Sequence, residues 1–300
     1  MTCHLRLARG RGLQRMGLAL GKITHLLAEM QTSINAAGMR SFDGDVDRFA
    51  IFSLIVRESL QRSSRDKAIS THSLAISLSR SFETVRRHVI ALTEQGLCVR
   101  GRGGVMVRPE VLEQPDVAEL MRLSHDSFVR FVEALARSGE LPSQRPPARP
   151  YDRHVGIAAA VDVMLATADS NRAVHRNWLD LVLFSTVLAA NLQRRGDAGV
   201  PVGPDHAVRP GVLSRVLNLP ETTVRRRLKL LIAGGGPLVR VRDGYLVSRG
   251  WLERPEAAET QERTYAHIRL IVANAAAQGF PIDDPASVYL DGRPSVVSLV

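Results

Sequence analysis

Leu74-Ala-Ile-Ser-Leu-Ser-Arg-Ser-Phe-Glu-Thr-Val-Arg-Arg-His-Val-Ile-Ala-Leu-Thr-Glu-Gln-Gly-Leu-Cys-Val-Arg-Gly-Arg-Gly-Gly-Val-Met-Val107 is the stretch whose reading decides the fold. After Ser70-Thr71, the spacing of Leu74, Ala75 and Leu78 predicts a short helix with one apolar face. Ser79-Arg80-Ser81 interrupts it. A second helix is predicted beyond, with Val85, Val89 and Leu92 inward and Ser81 as its cap, since a serine hydroxyl accepts an orphan N–H of the first turn. Gly96 supplies the stop. Leu97 to Arg100 and Val105 to Val107 then read as two short strands joined at a glycine-rich tip, Gly101 to Gly104.

The same order recurs further along. Thr84-Val85-Arg86-Arg87 returns 139 residues later as Thr223-Val224-Arg225-Arg226. At an offset of 140, Gly104 to Val107 matches Gly244 to Val247, and Val111 to Pro115 matches Trp251 to Pro255. A spacing kept across three blocks marks a duplicated unit. Each copy opens with a helix, striped by Phe49, Phe52, Ile55, Val56 and Leu60 in the first, and by Trp178, Leu181, Val182, Ser185, Leu188 and Leu192 in the second. In copy two the middle pieces are Gly211 to Leu217 and a helix starting near Pro220, with Val224, Leu228 and Leu231 inward. Gly234-Gly235-Gly236 ends that helix, and Asp243-Gly244 suits the positive φ of a tight hairpin turn.

Helix, helix, turn, helix, hairpin is the winged-helix order. The expected fold is therefore mainly α with small β-hairpin wings: two tandem winged helix-turn-helix domains with flanking helices. The boundaries follow as a basic arm and amphipathic helix at 1–42, winged-helix domain 1 at 43–140, a Pro-rich linker at 141–153, winged-helix domain 2 at 154–280 and a C-terminal tail at 281–300. Leu74 to Val107 resembles the winged helix-turn-helix domain of GntR-type and related bacterial transcription regulators, and Val212 to Val247 resembles it more weakly. The resemblance implies a helix entering the DNA major groove and a wing touching backbone or minor groove. No small-molecule effector domain of that family is recognisable, so an effector ligand stays unassigned.

With Val85, Val89 and Leu92 inward, Glu83, Thr84, Arg86 and Arg87 project from the first turns, where a helix-turn-helix reads base edges. Arginine there can pair with guanine O6 and N7, and Thr84 can meet a phosphate or a thymine methyl. Arg80 and Ser81 complete the first set. Copy two offers Thr222, Thr223, Arg225 and Arg226, while Arg100 and Arg102, and Arg240 and Arg242, sit on the two hairpins as phosphate or minor-groove contacts. Glu83 either accepts from cytosine N4 or caps the helix start electrostatically, and the cap is favoured. A solvated helix face is the bland reading of the arginine pairs; their recurrence at one point of a repeated unit favours DNA.

Charge agrees with a polyanionic partner. Forty Lys+Arg against thirty Asp+Glu leave +10, and the pI is near 10.6. Only Lys22, Lys67 and Lys229 are lysines, a bias that a high-GC genome also produces. Residues 62–108 carry nine bases against three acids. A 45% hydrophobic content and a mean hydropathy of -0.04 fit neither wholesale disorder nor a membrane-embedded chain. Leu179 to Leu192 is too short to span a bilayer, Met1 to Lys22 makes a poor signal peptide, and Cys3 and Cys98 form no CxxC, so a reducing, cytoplasmic setting is expected. Met16 or Met30 could equally begin the native chain.

Met16, Leu20, Ile23, Leu27, Met30, Ile34 and Ala37 form a heptad-like seam, read either as a dimerising helix for a homodimer or as intrachain packing on copy one. The Ala-rich helix from Gly156 to Ala168 plays its part in the second unit. Amphipathic helices follow each hairpin, marked by Val117, Leu120, Ser124, Phe128, Phe131 and Leu135, and by Tyr265, Ile268, Ile271 and Val272. These pack on their own domain or pair across a dimer. The linker, and Pro281 to Val300, read as low-complexity segments.

Enzyme chemistry finds no support: Gly234 to Gly236 lacks the Lys-Ser/Thr of a phosphate loop, the nine histidines form no HExxH, and neither metal nor cofactor is expected. His88 is read as a partly buried structural residue, and Cys98 as packing inward. The function expected is sequence-specific binding of double-stranded DNA by a bacterial transcriptional regulator. The alternatives are a plasmid- or phage-type replication initiator or repressor, and a winged-helix scaffold of chromosome organisation.

Overall fold

The computed structural model describes residues 23–61, 68–139, 141, 150–175, 177–195 and 202–300. Residues 142–149 of the linker at 141–153, Met16 and Leu20 of the seam, and the basic arm up to residue 22 lie outside the described residues. Among the described residues helices dominate, with two antiparallel two-stranded sheets. The first unit runs α2 (Val46–Gln61), α3 (Thr71–Leu78), α4 (Phe82–Glu94), β1 (Val99–Gly101), β2 (Gly104–Met106), α5 (Pro109–Leu112) and α6 (Pro115–Arg137). The second runs α8 (Trp178–Arg195), α9 (Pro210–Leu217), α10 (Glu221–Ile232), β3 (Leu238–Val241), β4 (Gly244–Val247), α11 (Arg249–Leu252) and α12 (Pro255–Ala277). Helix α1, over residues 23–41, precedes the first unit, and α7 (Arg153–Ser170) precedes the second.

The repeat extends to backbone detail. Ser79 and Asn218 end α3 and α9 in the left-handed region, with φ of 49° and 50°. Each turns the chain sharply into the next helix. Ile69 bridges Val105 in the first unit as Val208 bridges Tyr245 in the second. Each hairpin is also tied to the first helix of its unit through one backbone N–H. Val107 N–H donates to Ser59 Oγ at 3.0 Å, and Val247 N–H donates to Asn191 Oδ1 at 2.9 Å.

The hairpin tips depart from expectation in one respect. In β3–β4 the two-residue turn is Arg242-Asp243, and the left-handed residue is Arg242 with φ 51°, whereas Gly244 lies in the strand. Gly244 is needed for close approach, because a Cβ there would stand 2.8 Å from the Cβ of Ala207. Gly104 meets both demands. Its φ is +134°, and a Cβ would lie 2.2 Å from the Ile69 carbonyl oxygen.

The two cores are interlaced. One joins α2, α3, α4 and α6 to Ile157 and Val163 of α7, and to Ile268, Val272 and Ala275 of α12. The other joins α8, α9 and α10 to Ala28, Ala36 and Met39 of α1, whose opposite face (Ile23, Leu27, Met30, Ile34) belongs to the first core. The described part of the seam, Ile23 to Ala37, is thus buried within the chain, which is the intrachain alternative of the two readings. The C-terminal half of α12 packs chiefly on α7, within residues 154–280 as expected, and through it joins the first core. Helix α7 is buried nearly all round, which its small residues permit: a Cβ on Gly156 would come within 2.6 Å of the His125 ring.

The expected low-complexity tail, residues 281–300, is an ordered strap. Asp126, buried on α6, accepts the N–H groups of Leu290 and Asp291, each at 2.9 Å. Its other partner is His125 Nδ1 at 2.7 Å, and His125 Nε2 in turn meets the Tyr151 hydroxyl at 2.6 Å. Burial opposes the charge on Asp126, but these three hydrogen bonds outweigh it and hold its pKa below the usual carboxylate range. Further along, Leu299 is buried against the second core and its N–H donates to Gln193 on α8. The strap therefore crosses from α6 to α8. Among the described residues no helix is long and apolar enough to cross a membrane.

Candidate nucleic-acid interface

Helix α4 is held at both ends by its own sequence. Ser81 Oγ accepts the Thr84 N–H at 3.1 Å and shares a hydrogen bond with Thr84 Oγ1 at 2.8 Å. Both residues thus serve the cap. Val85, Val89 and Leu92 are fully buried beneath, as their spacing requires. Helix α10 starts after Pro220 and buries Val224, Leu228 and Leu231 in the same way.

On the outward faces the arginines divide into two kinds. Arg86 forms a two-pronged pair with Glu83, both bonds at 2.8 Å, and Arg225 pairs with Glu221 one turn back. The hydrogen bonds from Arg86 hold the Glu83 carboxyl below its usual range. Glu83 lies in the first turn of α4, where its charge suits the helix dipole, and its partner is arginine, not backbone. These pairs are exposed, and screened contacts of this kind are readily exchanged for phosphate. Arg87 and Arg226, the next residues, are exposed and make no hydrogen bond or ion pair among the described residues. Thr222 is exposed and Thr223 half-buried beside them.

The hairpins add a second row. Arg100 and Arg102 are exposed on β1 and its tip, and Arg240 is exposed on β3. Arg242 stands at the other tip, 3.3 Å from Asp205, with both side chains mostly in solvent. Exposed Arg108 follows β2, and exposed Arg215 and Lys229 flank the α9–α10 face.

Arg80 is a correction to the sequence expectation. It lies over the Trp178 ring at 5.7 Å and donates to Asp47 at 2.7 Å, with only 19% of its side chain exposed. It fastens the α3–α4 turn to α2 and to the start of α8, so it is taken up inside the fold. His88 behaves as the sequence suggested, half-buried with Nδ1 3.5 Å from Asp45. Arg227, its counterpart in the repeat, stands 3.7 Å from Asp180. Burial raises the Asp180 pKa, and neither Arg227 nor the hydrogen bond from the Asn177 side reverses it.

Apolar residues stand exposed on this face too, of which the sequence puts Phe82 at a base-reading position and does not mark Ile76. Phe82, the first residue of α4, is 51% exposed, and Ile76 on α3 is 64% exposed. Both fall outside the buried periodicity of their helices, which is the one signal that could have found Ile76. Among the described residues no group of three His, Cys, Asp or Glu side chains could hold a metal. No family model, curated protein or solved structure matches the chain.

Proposed function

We propose that this chain is a sequence-specific double-stranded DNA-binding protein, a transcriptional regulator whose two hairpin-bearing units act as tandem winged helices. The observation that carries the reading is the pair Arg87 and Arg226. They occupy one position of a repeated unit, exposed and without a hydrogen bond or ion pair among the described residues, each followed by arginines on the hairpin of its own unit. A free guanidinium on the first turns of a helix that follows a tight turn suits guanine O6 and N7 or a phosphate. The hairpin arginines suit the flanking backbone. Arg86 and Arg225 join when their carboxylates release them. Phe82 offers an apolar contact of the kind a thymine methyl accepts.

Because α1 contributes to both cores and α7 and α12 of the second unit join the first, the units are joined by packing as well as by chain. The reading therefore expects two half-sites at one spacing. The half-sites should differ, since Glu83 and His88 in one unit face Thr222 and Arg227 in the other.

Selection from random duplexes, with the wild type and with Arg86, Arg87, Arg225 and Arg226 changed to alanine, tests this at two salt concentrations. The expected result is a bipartite motif lost in the variant. Each arginine that contacts a phosphate should contribute about 0.9 to the slope of log affinity against log salt. No motif and no effect of the substitutions would overturn the reading and turn attention to protein partners.

A further inference from the structure

Two adjoining cavities lie where the interlaced helices meet. The first is bounded by α1, α8, α11 and α12, the second by α1, α2, α7 and α8, and Gln31, Leu181 and Ser185 line both. Their volumes are about 70 and 50 Å³. Neither alone reaches the ~150 Å³ of an engineered apolar cavity that admits benzene, so a single ring would have to span both at the shared wall of Gln31, Leu181 and Ser185. No charged residue lines either one, and the walls are largely apolar, with Phe184 and Trp251 in the first and Phe49 and Trp178 in the second.

Thr167, Asn171, Thr264 and Ser124 in these walls bond to their own helices, but three other polar side chains do not. Gln31 is 4% exposed and Ser185 5%, and neither makes a hydrogen bond among the described residues. Thr260, 4% exposed on the first cavity, has an Oγ1 with no donor or acceptor partner among the described residues. A buried amide or hydroxyl left unpaired carries its full desolvation cost, so such groups are kept where something else satisfies them. A shared carboxamide and hydroxyl on an otherwise apolar, aromatic wall match a small ring bearing one or two neutral hydrogen-bonding groups. A carboxylate or ammonium would enter without a counter-charge.

We propose that these cavities form a binding site for a small, uncharged aromatic ligand that hydrogen-bonds Gln31 and Ser185. The site lies between the two cores and does not depend on the DNA reading, because binding is read directly.

Both tryptophans of the chain line it, so intrinsic fluorescence reports each cavity, and Trp178→Phe and Trp251→Phe assign the signal. The full chain is titrated with phenol, benzamide, toluene and benzoate. Saturable responses to phenol and benzamide are expected, with benzoate inert. Gln31→Met keeps the bulk of the side chain and removes its polar group. It should weaken phenol about five-fold relative to toluene, the worth of one net hydrogen bond. It should also leave the melting temperature unchanged or higher, which a structurally engaged glutamine would not do. Ser185→Ala should act in the same direction. The proposal is overturned if no probe gives a saturable response at either tryptophan, if benzoate binds as well as phenol, or if Gln31→Met leaves the phenol-to-toluene ratio where it was.

Discussion

His175, in the turn between α7 and α8, should make the protein acid-sensitive in a calculable way. Its ring packs 4.7 Å from Phe184 and 5.9 Å from Trp251, it is 5% exposed, and neither ring nitrogen has a hydrogen-bond partner among the described residues. Burial pulls its pKa from 6.5 down to about 4. The folded chain therefore holds a neutral imidazole, while the unfolded chain takes up a proton as the pH falls below 6.5. Since the unfolded state binds more protons in that window, stability declines as the pH drops from about 6.5 to about 4 and is lost no further below it. At about pH 4.5 the linkage amounts to about 2.5 kcal/mol. With an unfolding entropy of about 2.1 cal/mol/K per residue over 300 residues, that lowers Tm by about 4 °C. His175→Phe keeps an aromatic ring between Phe184 and Trp251 and removes the proton. Melts of wild type and variant at about pH 7.5 and about pH 4.5 isolate the effect, because the acids that titrate in this range are common to both. The gap between the two proteins should widen in acid by about 4 °C in favour of the variant. An equal gap at both pH values would refute a buried, neutral His175.

Three other outcomes are expected. Asp126→Asn weakens the acceptor of Leu290 and Asp291 and breaks its charge-assisted bond with His125; it should cost about 1–3 kcal/mol in denaturant melts and speed proteolytic cleavage between residues 289 and 300. Gly104→Ala places a Cβ against the Ile69 carbonyl at φ +134°. It should destabilise by more than the roughly 1 kcal/mol of an ordinary glycine replacement, with amide exchange rising at Ile69 and Val105 ahead of the rest. Cys98, whose thiol burial pushes up to about 12, should resist iodoacetamide in the native protein and be alkylated only on unfolding, as peptide mapping would show.

What the sequence determined by itself is what short-range physics controls. The 3.6-residue periods of Val85, Val89 and Leu92, and of Val224, Leu228 and Leu231, place both helices because a helix face repeats within a few residues. Ser81 as a cap, Gly96 as a stop and the two hairpins follow from backbone preferences of single residues. The duplication was visible because two copies carry the same local signals at one spacing. The exposed arginines were legible for the same reason: once the inward face is assigned, the outward face follows.

What tertiary structure alone decided is which partner each face meets. The seam of α1 reads the same whether it buries against a second copy or against α6 and α12, since periodicity states that a face is apolar and not what covers it. Arg80 looked like its neighbours until Asp47, thirty-three positions away, and Trp178, in the other unit, closed on it. The tail from Pro281 carries no long helical or strand period, so its order depends on distant partners such as Asp126, Glu133, Arg130, Gln193 and Arg194. The cavities exist only where α1 crosses to the second core, and Gln31 and Ser185, ordinary residues in sequence, become unpaired polar groups only because that crossing buries them together.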